Sequence, residues 1–217
     1  MAGNGRAPDQ RGRGERHGSA RRLWIAAGAG TVLVVAVAVT AGLLVGRGEP
    51  AEQADEADTY ASAPACSAVP QEAVTELVPG AELETSRQGP MENADSSTCV
   101  WTSVGADDAP PRSLHLDFTA HFTDKAGEVS GARAAGRRLE QLAPIGDLEG
   151  ADPVSELGEG ALVWPGTADA ASAEVVFRRD NMLIQVFYGG DAGDGGMDYA
   201  AAREGAVTAA ERVAGSL

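Results

Sequence analysis

Cysteine, lysine and aromatic residues are all scarce in this chain. Of 217 residues, two are cysteine, one is lysine (Lys125) and 5% are aromatic. Basic groups of any kind are outnumbered, 17 Lys and Arg against 32 Asp and Glu, for a net charge of -15. That deficit excludes a nucleic-acid-binding protein, because phosphate recognition needs a surplus of Lys and Arg. The familiar catalytic signatures are missing as well: there is no G-x-S-x-G elbow, H-E-x-x-H helix, S-x-x-K pair or Gly-rich phosphate loop. What remains is ordinary for a globular chain. Hydrophobic residues make up 43% and charged residues 23%, which rules out both a disordered chain and a polytopic membrane protein. The length suits one domain with extensions.

The charge is distributed unevenly. Residues 1–22 hold six arginines against Asp9 and Glu15, a balance of +4, whereas residues 46–217 hold eleven basic and thirty acidic groups, a balance of -19. Between them residues 23–45 run without one charge. A helix of that length reaches roughly 35 Å, enough to cross a ~30 Å hydrocarbon core, so a single transmembrane helix is expected. Arginines before it and acids after it place the N-terminus in the cytoplasm and the C-terminal domain outside, at the cell membrane. Signal-peptide cleavage after Val39-Thr40-Ala41 is the alternative. Small residues Ala26, Gly30, Ala38 and Gly42 fit close helix pairing, or simply the composition of an Ala- and Gly-rich anchor. Residues 1–22 read as a disordered basic cytoplasmic stub and 46–64 as an acidic, flexible stalk.

From residue 65 to 217 the pattern is that of one folded extracytoplasmic domain. Cys66 and Cys99 are the only cysteines, and neither has the close C-x-x-C partner of a metal or redox site. On the oxidising side of a membrane the pair is expected to form a disulfide. Ser67 is expected to cap a short helix running from Pro70 to Val78. Strands are predicted at 81–86, 98–104 and 112–119, with the polar stretch 87–96 a loop. In the third strand Leu114, Leu116 and Phe118 alternate with His115, Asp117 and Thr119, so the odd-numbered face should meet water or a partner. A second helix is predicted over 126–142. Residues 153–164 read as strand, Gly turn and strand. Strands at 173–178 and 182–188 are joined by the short Arg179-Asp180-Asn181 turn, and a last helix over 199–214 is capped by Asp198. The order is helix, three strands, helix, about three strands, helix, which predicts an α+β fold with a mostly antiparallel sheet and three flanking helices.

Several of these features occur together in one known setting. A cysteine opening a short helix (Ala65-Cys66-Ser67), a second cysteine beside a tryptophan (Cys99-Val100-Trp101), a Leu157-Gly158-Glu159-Gly160-Ala161 turn, a hairpin and an Ala-rich closing helix follow one another over about residues 65–215. In this order the chain resembles an actinobacterial family of small cell-envelope lipoproteins of unknown function. The Ala, Gly, Arg and Asp-heavy composition suits such a source. It departs from those members in lacking a lipid-attachment cysteine after the apolar run, so a transmembrane anchor takes the place of the lipid. More remotely the layout is similar to extracytoplasmic sensor domains of actinobacterial kinases and to lipoproteins that carry apolar ligands. What these resemblances imply is ligand or partner binding, with no site residues to carry over.

Candidate chemistry is sparse. His115, Asp117 and His121 share one strand face if the strand continues, and imidazole with carboxylate suits a zinc or copper ion; an ordinary wet strand face is the other reading. Asp191, Asp194 and Asp198 lie among glycines, but their spacing fails the calcium-loop pattern and no Glu completes it. Trp101 and Trp164 are expected in the core, with a pocket wall as the alternative. No cofactor and no catalytic set are expected. The leading expectation is a membrane-anchored binding or accessory domain of the cell envelope, its partner an envelope protein or an apolar ligand. The alternatives are an envelope hydrolase or metal-dependent enzyme built on His115 and His121, and a carrier of an apolar ligand. Oligomeric state is not legible.

Overall fold

The computed structural model describes residues 53–105, 110–142, 150–166, 171–192 and 196–217. The basic stub, the 23–45 span and the first part of the stalk lie outside the described residues. Among the described residues no helix is long and apolar enough to cross a membrane.

The fold is α+β with one antiparallel sheet, as the grouping of strands in runs predicts. Seven strands, β1 (Glu82–Met91), β2 (Ala94–Thr102), β3 (Arg112–His121), β4 (Asp152–Pro153), β5 (Leu162–Pro165), β6 (Ser172–Arg179) and β7 (Met182–Gly190), line up in the order β1-β2-β3-β7-β6-β5-β4. Among the described residues three α-helices accompany them: α1 (Gln71–Leu77), α2 (Gly131–Leu142) and α3 (Tyr199–Ser216). Alternation assigns the two faces of the sheet. Cys99, Trp101, Leu114, Leu116, Phe118, Val163, Val175, Phe177, Ile184, Val186 and Tyr188 point to the first face, where α1 and α3 cover them in the main core. At ~1.5–3 kcal/mol per fully buried large apolar side chain, this face dominates the stability. On the second face only a smaller cluster forms, with Leu139 of α2 on Leu162, Trp164, Val176 and Leu183. Both tryptophans are therefore buried, as expected. Among the described residues α2 roofs only part of the second face.

α3 approaches the sheet closely because its inner stripe is small: Ala202, Gly205, Ala206, Ala209 and Ala210. A Cβ at Gly205 would fall onto the Tyr188 ring. The Tyr188 hydroxyl donates to the Leu77 carbonyl at 2.8 Å, and Arg112 Nη1 reaches the same carbonyl at 3.3 Å, so the end of α1 is satisfied from the sheet. Asp198 caps α3 by accepting from Ala201 N at 2.8 Å, as predicted.

Several expectations need correction. The predicted loop 87–96 is the heart of a hairpin, β1 to β2, closed by a Glu92-Asn93 turn in which Asn93 adopts φ 52°. Its polar sequence reflects an exposed edge: β1 has a register shift at Glu84, carries Pro90 and Arg87, and is guarded in the way edge strands usually are. Ser67 caps nothing; Cys66–Ala68 is a 3-10 turn, and α1 starts at Gln71 behind Pro70. The second helix starts at Gly131, five residues late. Asp124 holds the preceding turn by accepting from Glu128 N and Val129 N, and Ser130 Oγ accepts from Arg133 N. The first strand of the 153–164 unit shrinks to two residues followed by a 3-10 turn at Ser155–Leu157.

The largest correction concerns the stalk. Its described part, residues 53–64, is strapped to the domain. Asp58 accepts from Thr123 N at 2.9 Å and Thr123 Oγ1 at 2.8 Å. Asn181, 1% exposed, accepts from Tyr60 N through Oδ1 and donates through Nδ2 to Tyr60 O and His121 O. Ala63 is buried; its N–H donates to Asp95 and its carbonyl accepts from Gln88. Composition misled here because backbone groups and small residues, with no large apolar side chain but Tyr60, make these contacts. The strap ends at Cys66, which is disulfide-bonded to Cys99 in β2 with a Cα–Cα distance of 5.5 Å. The expected pairing is borne out.

Candidate functional site

The half of the second face that α2 does not cover carries a concentration of polar side chains from four strands. Register builds it. In one cross-strand row His115 of β3, Phe187 of β7 and Glu174 of β6 stand side by side; in the next row Thr98 of β2, Asp117 and Gln185 do. Strand alternation puts all six on the same side. His115 Nε2 lies 3.1 Å from Asp117 Oδ2, an ion-pair distance, although off the line of a well-directed hydrogen bond. Thr98 Oγ1 donates to Asp117 Oδ1 at 2.6 Å, and Gln185 Nε2 donates to Glu174 Oε1 at 3.4 Å. The Trp164 indole adds a second donor to Glu174.

These contacts set the protonation of the cluster. The His115 imidazole is pushed above its ordinary value, chiefly by its bond with Asp117, against the opposing effect of burial and with help from the negative charges of Asp117 and Glu174. Burial pushes the Asp117 carboxyl up, but the neighbouring His115 imidazole and the Thr98 hydrogen bond outweigh it and leave Asp117 below the usual carboxylate range. Burial wins at Glu174, which is raised despite its donors. The cluster therefore favours a protonated imidazole at His115 beside an ionised Asp117, with Glu174 more readily protonated than an ordinary glutamate.

Two clefts meet over Phe187. The smaller, about 170 Å³, is bounded by His115, Asp117, Glu174, Gln185 and Phe187. The larger, about 350 Å³, continues past Phe187 between Val104, Pro111, Ser113, Ser172 and Gly189, and reaches the size of a small-molecule site. Gly189 keeps it open, because a Cβ there would stand 3.0 Å from Ser172 Cβ and 3.2 Å from the Ala171 carbonyl. The smaller cleft is lined mainly by ionisable and amide groups, while the larger mixes Val104, Pro111 and Phe187 with Arg112, Ser113, Ser172 and Asp191.

Of the three sequence candidates, the structure brings His115 and Asp117 together and leaves His121 out. All three do share a face, but six residues at ~3.3 Å each put His121 ~20 Å along the strand from His115. His121 sits instead beside Arg138 of α2, and burial together with that arginine lowers its pKa. The proposed trio of metal ligands does not form, and among the described residues no group of three or more His, Cys, Asp or Glu converges on a metal position. Asp198 is occupied as a helix cap, and Asp194 lies outside the described residues. Sequence reasoning missed Glu174, Gln185 and Thr98. The signal was there: Glu174 and Gln185 are single polar residues interrupting apolar runs in the two innermost late strands.

Compared with protein-family models, curated proteins and solved structures, the chain matches none. The class that fold and site define is an α+β domain with a disulfide-stapled antiparallel sheet and a half-open, polar sheet face.

Proposed function

We propose that this chain is a single-pass protein of the cell envelope whose extracytoplasmic domain binds a small ligand or a partner segment on the open half of its sheet. The observation that carries this reading is the pair of clefts that share Phe187, one lined by His115, Asp117, Glu174 and Gln185 and the other by Val104 and Pro111 together with Arg112, Ser113, Ser172 and Asp191. A site of this kind suits a ligand with a polar or cationic group beside Asp117 and Glu174 and a partly apolar remainder that lies along Phe187, Val104 and Pro111 and meets Arg112, Ser113 and Ser172. The uncharged 23–45 segment behind six arginines supports the anchor, and the Cys66–Cys99 bond is in keeping with an oxidising compartment.

A photo-crosslinking side chain at Ser113, inside the larger cleft, tests the reading in intact cells, with Glu204 on the exposed face of α3 as the control position. The expected result is an adduct of defined mass at Ser113 that is absent at Glu204 and is lost in Phe187→Ala. Identical adduct patterns at the two positions would remove the binding site. External protease that leaves the domain intact in whole cells but digests it after lysis would remove the topology.

A further inference from the structure

We propose that the outer surface of α2, together with the β6 end, is a docking surface for the anionic phospholipid headgroups of the membrane that anchors the chain. The proposal rests on the anchored reading above and adds to it a second, electrostatic contact. Residues 53–217 carry ten basic and 28 acidic side chains, a balance of -18. Five of those ten, Arg133, Arg137, Arg138, Arg178 and Arg179, lie on α2 and the start of the β6–β7 turn, against Glu140 and Asp180. This patch is +3, while the rest of the domain is -21. Lys125 lies between Asp124 and Glu128 and adds no net positive charge.

The two segments form one surface. A Cβ built on Gly136 of α2 would stand 3.9 Å from Arg178 Nε, and one on Gly131 would stand 3.1 Å from Asn181 Cβ. Arg133, Arg137, Arg138 and Arg179 are exposed and Arg178 is half-buried. Arg133 donates to the Glu128 carbonyl and Arg178 to the Asp180 carbonyl, so these guanidinium groups contact backbone. Elsewhere Arg203 is paired with Asp152 and Arg212 with Glu76, while Arg112 is held by the Leu77 carbonyl and the Tyr188 hydroxyl. The field of the patch is felt locally, since Arg138 adds to burial in lowering the His121 pKa. Guanidinium forks suit phosphate oxygens, which gives the surface its chemical preference.

Position makes membrane lipid the fitting source of phosphate. The strap meets the domain at the start of α2: Asp58 bonds to Thr123, whose hydroxyl accepts from Gly131 N. Ten residues lead from Val45 at the end of the apolar span to Asp55, a reach of at most ~35 Å. A tether that short raises the effective concentration of the bilayer surface to about millimolar, so a patch of modest charge suffices.

The test uses the full chain in nanodiscs of phosphatidylcholine alone or with 30% phosphatidylglycerol, each containing a headgroup-linked quencher. A fluorophore is carried on an unnatural amino acid at Gln141, on the exposed side of α2, or at Glu204 on α3. Quenching at Gln141 should be at least about twofold stronger with phosphatidylglycerol, fall to the phosphatidylcholine level in 0.5 M NaCl, and disappear in R133E/R137E/R138E, while Glu204 does not respond. The lysine variant R133K/R137K/R138K should keep most of the response. Equal quenching in the two lipids, or a response insensitive to salt, would overturn the proposal even if the charge-reversal variant failed to fold. Failure of the chain to enter nanodiscs at all would instead overturn the anchor.

Discussion

Replacing Asn181 by Ala tests whether the strap is part of the fold. The side chain is 1% exposed and makes three hydrogen bonds, at 2.9 Å with Tyr60 N, 2.9 Å with Tyr60 O and 2.7 Å with His121 O. At ~0.5–1.5 kcal/mol net for each, and with the partners left beside a small cavity, the loss should be about 2–3 kcal/mol. In a domain of this size that corresponds to a fall in Tm of roughly 5–10 °C. Urea unfolding followed by tryptophan fluorescence, with the disulfide intact, gives the first number. Hydrogen exchange gives the second readout: the Tyr60 and Thr123 amides should exchange far faster in the variant, while the amides of β6 stay protected. Asn181→Asp keeps the shape but turns an acceptor toward the Tyr60 and His121 carbonyls, so it should destabilise at least as much. A loss below ~0.5 kcal/mol with unchanged exchange at Tyr60 would show that the strap is not held in this way, and the stalk would again extend to residue 64.

Reducing the Cys66–Cys99 bond, or replacing both cysteines by Ala, opens a loop with a sequence separation of 33 and should cost about 3–4 kcal/mol, read from the urea midpoint; an unchanged midpoint would contradict the covalent clamp. The two histidines should give opposite pH dependences. His115 is raised in the fold, so its contribution is full below the ordinary histidine value and fades as pH rises through its folded value; His115→Gln should remove that alkaline loss. His121 is lowered, so stability falls as pH drops through the ordinary value, where the unfolded chain takes up the proton; His121→Gln should flatten that acid limb in melts between pH 5 and 8. Gly205→Ala should lose ~1–3 kcal/mol through overlap with Tyr188 despite better helix propensity, whereas Gly215→Ala, with open space around it, should be neutral or slightly stabilising; equal midpoints for the two would contradict the close approach of α3.

Alternation carried most of what was legible. β3, β6 and β7 were readable because each buries a continuous apolar row, and Asp198 was readable because a capping carboxylate immediately precedes an Ala-rich run. β1 was half lost because an edge strand exposed on both faces has no apolar row to show. The strap was lost for a related reason: it is fastened by Asp58, by Asn181 and by main-chain groups, and such contacts leave no periodicity. Half of the candidate site could be found from one strand, since His115 and Asp117 are two residues apart. Glu174, Gln185 and Thr98 come from three other strands, and only the register of pairing brings them to the same place.

The strap and the disulfide together define a path for mechanical load. Tension applied from the N-terminal side first loads the bonds of Asp58, Tyr60 and Ala63, which release one after another. At Cys66 the pull passes through the sulfur bridge straight into the middle of β2, a strand hydrogen-bonded on both sides, by β1 and by β3. α1 and β1 lie inside the covalent loop and are bypassed. A pull from the N-terminal side is thus delivered to the strand next to His115 and Asp117 rather than to the edge strand β1.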